Sequence, residues 1–244
     1  MAKVDPPHKV APGDEMSYFK HRQVSGDAYA HYRLPVYLAR RLPPNQNAQV
    51  LDFGCGFGQT VRELRRLGYA NAVGFDIEPA AIDFCVANSI PVISQHQLDA
   101  KQHAGQFDLI FCSHVLEHIA KDQVIATLTK LRALLRPQGM LMVCVPNAQS
   151  NTGCYWAYED FTHHTTYTSG SVYYVLSKAG YADIAFIDTD CTEGMGPVRR
   201  SIKRLLLAAY RANYRFWNKV TSSATHAPSP QIFSYELKAI ARAG

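Results

Sequence analysis

Two stretches of the chain hold residue types whose spacing could do chemistry. The first is Val50-Leu51-Asp52-Phe53-Gly54-Cys55-Gly56-Phe57-Gly58-Gln59, an apolar run that meets three alternating glycines and then a helical pattern. Glycines so placed let the backbone turn tightly and approach a ligand at a helix N-terminus. The third glycine of a dinucleotide fingerprint begun at Gly54 would fall at position 59, which is Gln59, so the spacing found is G-x-G-x-G. Asp52, two residues ahead, would repel a pyrophosphate and suits a ligand carrying an ammonium and a sulfonium. A second carboxylate, Asp76, lies 76 − 52 = 24 residues on, at the end of the next apolar run, where it can accept both hydroxyls of a ribose.

The second stretch, Tyr158-Glu159-Asp160-Phe161-Thr162-His163-His164-Thr165-Thr166-Tyr167-Thr168, offers imidazoles beside a carboxylate. His163 reads as a general base with Asp160 as its orienter and His164 as the second choice. A structural reading competes with it, in which Thr168 and Ser169 cap the following helix and His163 stabilises the loop. Between the two stretches runs Ser113-His114-Val115-Leu116-Glu117-His118, whose Glu117 and His118 read equally as a helix-start hydrogen-bond network and as ligand contacts. Of the ten histidines, His8, His21, His31, His96, His103 and His226 sit in polar or terminal context. Tyr155, Trp156 and Tyr158 could offer flat faces to a ring, although aromatics in a loop also serve plain packing.

From Val50 to Asn147 these motifs, in this order, resemble the class I S-adenosylmethionine-dependent methyltransferases, whose cofactor carries both an ammonium and a sulfonium. The resemblance implies that Asp52, Gly54, Gly56 and Gly58, with Cys55 among them, hold the methionine end, that Asp76 holds the ribose and that Ile77 packs on the adenine. It also implies an adenine contact near Gln97, Leu98 and Asp99, and a loop from Ser113 and His114 that lines the sulfur. Val115 to His118 is similar to the V-L-E-H signature of small-molecule methyltransferases. Asp160, Thr162, His163, Tyr167 and Thr168 match a D-x-T-H-x-x-x-aromatic-T segment of methyltransferases in bacterial surface-polysaccharide and deoxysugar pathways. That likeness implies methyl transfer to a sugar or glycan hydroxyl, with nucleotide-linked, lipid-linked and polymeric acceptors all open. Two other readings stand beside it: an O-methyltransferase of a phenol or quinone-like molecule, and a cofactor-binding subunit without turnover. The Asn/Asp-Pro-Pro-aromatic motif of DNA amino-methyltransferases is absent, so no nucleic-acid partner is expected.

These residues need a scaffold, and the periodicity supplies one. Short apolar runs at Gln49–Phe53, Ala72–Asp76, Phe107–Cys112 and Met140–Val145 alternate with helical stretches at Asp27–Arg41, Gln59–Leu67, Pro79–Asn88 and Lys121–Leu135, the pattern of βαβ units and a parallel sheet. A short strand is expected near Pro91–Ser94. After a Gly-, Tyr- and His-rich loop (Asn147–Thr168) come a helix (Ser169–Ala179), a strand (Tyr181–Asp188), a long helical segment (Val198–Val220) and a last strand (Gln231–Ala241). The expected fold class is α/β, a Rossmann-like doubly wound, mostly parallel seven-stranded sheet with an antiparallel last strand and a helical insertion before it. At 244 residues and 47% hydrophobic content the chain suits one domain. Residues 1–48 form an N-terminal helical extension, 49–147 the cofactor-binding core, and 148–244 the acceptor-site loop, last strands and basic insertion.

The formal charge of +5 is mild, but it is concentrated. Val198–Val220 holds seven basic residues and no acidic one, with Ile202, Leu205, Leu206, Ala209, Phe216 and Val220 on one side and Arg200, Arg204, Arg211, Arg215 and Lys219 on another. Such a helix reads either as a contact with a membrane surface or anionic glycan, or as a helix packed on the domain or a second subunit with a solvated basic face. No window approaches a spanning segment, the N-terminus lacks the apolar middle of a signal peptide, and the six cysteines form no CxxC pair. The expectation is a cytoplasmic protein with reduced thiols, peripheral at most to the inner face of the membrane. No metal cluster is evident in the spacing, and self-association stays open.

Overall fold

The computed structural model describes Phe19, Arg22, residues 24–99 and residues 104–244; His8, His21, His103 and the rest of the N-terminal stretch lie outside the described residues, as does the side chain of Asp99. Six strands form the sheet: β1 (Val50–Phe53), β2 (Ala72–Phe75), β3 (Phe107–Ser113), β4 (Leu135–Pro146), β5 (Tyr181–Phe186) and β6 (Glu236–Ala243). Their order is β2-β1-β3-β4-β6-β5, and only β6 runs against the others. The chain leaves β1 toward β2 on one side and reaches β3 on the other, so a crevice opens beyond the carboxyl end of β1, where such sheets bind ligands.

Helices cover both faces: α1 (Val36–Ala39), α2 (Gln59–Arg66), α3 (Pro79–Ala87), α4 (Gln95–Asp99), α5 (Val124–Leu134), α6 (Gly153–Glu159), α7 (Ser169–Lys178) and α8 (Pro197–Val220). Alternate residues of each strand serve opposite faces. Leu51, Ile110, Cys112, Leu141 and Val143 meet Leu128, Leu131, Val172 and Leu176 of α5 and α7. Val50, Leu109, Phe111 and Met142 meet Val61, Leu64 and Cys85 of α2 and α3. Each fully buried Leu or Ile contributes about 1.5–3 kcal/mol, which anchors the strand ends that carry the site.

Several expectations change. The strand expected near Pro91–Ser94 is a single parallel bridge, Gly74 to Val92, so the sheet has six strands and not seven. Pro91 has no N–H to donate, and Ser94 already begins the cap of α4 by accepting from Gln97. The helix expected over Asp27–Arg41 breaks into a 3-10 turn (Gly26–Tyr29) and the four residues of α1, because Pro35 disfavours helix at Leu34 and cannot donate. The loop after β4 contains α6, whose Gly153 is demanded by packing: a Cβ there would lie 2.4 Å from the Ala148 carbonyl oxygen. The last strand starts at Glu236 because the Asn147 amide takes the carbonyls of Ile232 (2.7 Å) and Ser234 (2.8 Å).

The long helix α8 buries none of its residues. Its basic side is partly turned inward: Arg200 donates to the Met195 carbonyl, Lys203 to the Cys191 carbonyl (2.8 Å) and Arg211 to Asp190 (2.7 Å). The apolar stripe of Val198, Ile202, Leu205, Phe216 and Val220 faces out, with Leu205 72% exposed. Packing of this stripe on the domain is therefore not found, while Arg199, Arg204, Arg215 and Lys219 are solvated as expected.

Candidate active site

Gly54, Gly56 and Gly58 all adopt left-handed φ, of +81°, +52° and +70°. The loop they form is pinned to β2: the Phe75 carbonyl accepts from Gly54 (2.7 Å) and Cys55 (2.9 Å), and Asp76 accepts from Gly56 (2.8 Å) and Glu78 (2.9 Å). A Cβ on Gly54 would sit 2.2 Å from Val115, so the glycine loop and the loop after β3 touch. Asp52 is 3% exposed. Burial pushes its carboxyl up to about 7, a hydrogen bond from Thr60 opposes this, and repulsion from Asp76 adds to it. Among the described residues no ion pair to Asp52 is found, so the crevice holds a buried carboxylate that a cationic ligand would relieve.

Around this crevice Ile77 is exposed at the rim and Leu98 packs partly buried on the core. Gln97 spends its side chain on the Ser94 amide (2.8 Å), capping α4. Ser113 ends β3 beside Cys144, and His114 follows with φ +55°. His114 bridges two carboxylates, Nδ1 to Glu117 (3.1 Å) and Nε2 to Glu236 (2.9 Å). Burial opposes its charge, but hydrogen bonds with Cys144, Glu117 and Glu236 outweigh that and hold its pKa well above the usual range.

The Tyr158–Thr168 loop is clipped over the turn Leu116–His118. Tyr167 donates its hydroxyl to the Leu116 carbonyl (3.1 Å), and the His164 amide donates to the Glu117 carbonyl (2.7 Å). Beneath lies a cavity of ≈ 200 Å³ whose walls include Glu117, His118, Trp156, Asp160, His163 and Tyr235. The His163 ring is buried within it, with Nδ1 donating to the Trp156 carbonyl (2.8 Å) and Nε2 3.8 Å from Asp160. At that distance Asp160 acts on His163 through charge and not through a hydrogen bond. Its Oδ1 instead accepts from the Thr162 amide (3.1 Å) and hydroxyl (2.6 Å), and Thr162 in turn accepts from His118 Nδ1 (2.8 Å). His164 points out to solvent.

A family profile described as a methyltransferase domain matches residues 27–185. The chain belongs to this methyltransferase-domain family. The domain is 33% identical over 106 residues to trans-aconitate 2-methyltransferase of Deinococcus radiodurans, covering 43% of this chain and 40% of that protein. It is likewise 33% identical over 119 residues to ubiquinone biosynthesis O-methyltransferase of Xanthomonas axonopodis pv. citri, covering 46% of this chain and 48% of that one. The matched region thus spans less than half the length of these curated relatives. The fold is similar to the crystal structure of a S-adenosylmethionine-dependent methyltransferase from Archaeoglobus fulgidus, with TM-score 0.61, 18% identity and coverage of 92% and 97% of the two chains.

The methyltransferase domain brings Asp52, the three glycines, Asp76 and Ser113–His114 to one edge of the sheet, with His163 and Asp160 beside them. Sequence reading missed Glu236 and Tyr235, which come from the far end of the chain and carry no local motif. In the second stretch the helix-cap reading is met at one of its two residues. Thr168 caps α7 in a capping box with Ser171, while Ser169, expected as a cap, donates to the Pro230 carbonyl instead.

Proposed function

We propose that the domain moves the methyl group of S-adenosylmethionine to a hydroxyl of a small phenolic or quinone-like acceptor. The observation that carries the reading is the buried Asp52 at the carboxyl end of β1, at the head of the glycine loop, together with a cavity walled by imidazoles that follows the neighbouring strand β3. In this reading Asp52, Gly54, Cys55, Gly56 and Gly58 hold the methionine end. Asp76 accepts two backbone N–H bonds, yet each oxygen keeps a second acceptor site for a ribose hydroxyl. Ile77 and Leu98 flank the adenine, and Ser113 and His114 line the sulfur.

Methyl transfer from a sulfonium is an in-line displacement that needs positioning and a place for the acceptor's proton. The hydroxyl oxygen attacks the methyl carbon as the carbon–sulfur bond breaks, and the electron pair stays on sulfur. His163, whose Nδ1 proton is spent on the Trp156 carbonyl, offers Nε2 to take the acceptor proton, with an Asp160 carboxylate oxygen 3.8 Å away. Relatives named for ubiquinone biosynthesis O-methylation support a phenol over the sugar hydroxyl suggested by the D-x-T-H segment. The outward stripe of α8, flanked by exposed Arg199, Arg204, Arg215 and Lys219, supports contact with an anionic membrane surface, from which a lipid-soluble acceptor could enter. The test is transfer of labelled methyl groups to a panel of catechols and polyprenylated phenols beside sugar nucleotides and glycans. Labelling of phenols is the expected result; labelling of sugars alone would replace the acceptor class, and none with any acceptor would leave a binding subunit.

A further inference from the structure

A second cavity, of ≈ 320 Å³, lies between α8 and the segment that leads into β6. Its walls are Lys203, Leu206, Leu207 and Tyr210 of α8, together with Asn151 and Phe233. We propose that it holds the hydrocarbon tail of the acceptor, so that the acceptor is an amphiphile whose hydroxyl-bearing head lies at His163. The inference rests on the phenolic-acceptor reading above and deepens it.

The walls call for an apolar occupant. Their polar groups are engaged elsewhere: the Lys203 ammonium donates to the Cys191 carbonyl (2.8 Å), and the Tyr210 hydroxyl donates to Oδ1 of the exposed Asn151 (2.6 Å). The leucine pair, the Phe233 ring and the body of Tyr210 make up the rest. Water gains few partners on such walls, whereas a hydrocarbon loses its own hydration along the whole contact. Apolar cavities of about 150 Å³ already admit benzene, so this one has room for a longer hydrocarbon chain. Phe233 is buried and fixed, with the rings of Tyr214 and Tyr210 against it at centroid distances of 4.8 and 5.3 Å.

Position makes that occupant part of the acceptor. Segment 232–235 gives Phe233 to this cavity and Tyr235 to the acceptor cavity, and two residues of chain span at most about 7 Å. Asn147 pins the segment: its side-chain amide donates to the Ile232 (2.7 Å) and Ser234 (2.8 Å) carbonyls, and its backbone N–H donates to the Tyr235 carbonyl (2.9 Å). The far side of the cavity reaches the surface at Leu206, which is 65% exposed and follows Leu205 of the outward stripe. A molecule with its head against Trp156 and Tyr235 thus runs its tail past Phe233 and along α8 toward that stripe.

Fluorescence of parinaric acid, a polyene fatty acid that brightens when its chain leaves water, tests the site without turnover. In high salt, which screens the basic shoulders of α8, the expected result is saturable binding of one chain per protein. Leu207→Trp and Leu207→Phe fill the cavity from α8 and should weaken binding by roughly 10-fold or more. Leu205→Glu with Phe216→Glu alters only the outward stripe and should bind as wild type does. No saturable binding, equal binding by wild type and both filling variants, or loss of binding in the stripe variant would overturn the proposal. In the labelled-acceptor assay, KM for catechols with n-alkyl tails should fall by roughly threefold per added methylene in wild type and change little in Leu207→Trp, with kcat for untailed catechol equal in the two. A wild-type KM independent of tail length would also overturn it. Chain binding that Leu207→Trp removes, in a protein that labels no phenol, would support the tail site and overturn only the phenolic head.

Discussion

At the scale of single residues, the strongest physical statement concerns Asp52. A carboxyl pushed up to about 7 by burial is half-protonated near neutrality, and only the ionised form attracts a cationic ligand. Affinity for S-adenosylmethionine should therefore fall as pH drops below 7 and level off above it. Between pH 8 and pH 6 the ionised fraction changes by roughly tenfold, which calorimetry at the two pH values reads directly. Asp52→Asn should bind weakly with a flat profile; a profile as steep as wild type would move the titrating group elsewhere. Asp76→Ala should cost on the order of 1.5–3 kcal/mol of cofactor affinity through charge-assisted hydrogen bonds, and unchanged affinity would remove the ribose assignment. His163→Ala should lower turnover by roughly 100-fold or more while cofactor affinity stays near wild type, because its ring lies in the acceptor cavity. Turnover equal to that of His164→Ala would remove His163 as the base.

At the scale of elements, α7 and the loop before it act together. Thr168 caps α7, and the adjacent Tyr167 ties the loop to the Leu116 carbonyl over the cavity. Thr168→Ala should cost about 1 kcal/mol. For a domain of this size that is a fall in Tm of about 2–4 °C, measurable by thermal unfolding. An unchanged Tm would mean that packing of Val172 and Leu176 alone holds α7. The helices α2, α3, α5 and α7 were legible within one to three residues because each carries an apolar face that had to be buried and a stop signal such as Arg136-Pro137-Gln138-Gly139. The stop ends α5 at Leu134, but its residues bulge within β4 and do not form a separate loop, as the shifted register between Phe107 and Leu109 records.

At the scale of the whole molecule, α8 is the surface that the fold leaves exposed. No helix among the described residues is long and apolar enough to cross a membrane. An interfacial helix needs only an apolar stripe with basic shoulders, and α8 has both. The protein should sediment with vesicles containing phosphatidylglycerol at low salt and be released as salt rises, since each Lys or Arg at the surface is worth about 1 kcal/mol. Leu205→Glu with Phe216→Glu should abolish sedimentation without lowering Tm, because neither side chain is buried. Arg204→Gln with Arg215→Gln should weaken it, whereas Arg211 is held by Asp190 and belongs to the fold. Equal recovery of wild type and the Leu205→Glu/Phe216→Glu variant in the supernatant at low salt would assign the stripe to another partner.

The sequence by itself determined what depends on neighbours along the chain. The glycine loop after an apolar strand, Asp76 at the next strand end, the alternation of strands and helices and the basic composition of α8 are all local patterns, and each corresponds to a feature of the fold. What lies between elements was decided only by tertiary structure. His118 meets Thr162 across 44 residues and His114 meets Glu236 across 122, separations over which no periodicity carries information. The same holds for the direction of α8: its amphipathic pattern named two sides, but Asp190 and the Cys191 and Met195 carbonyls drew basic residues inward and left the apolar stripe outside.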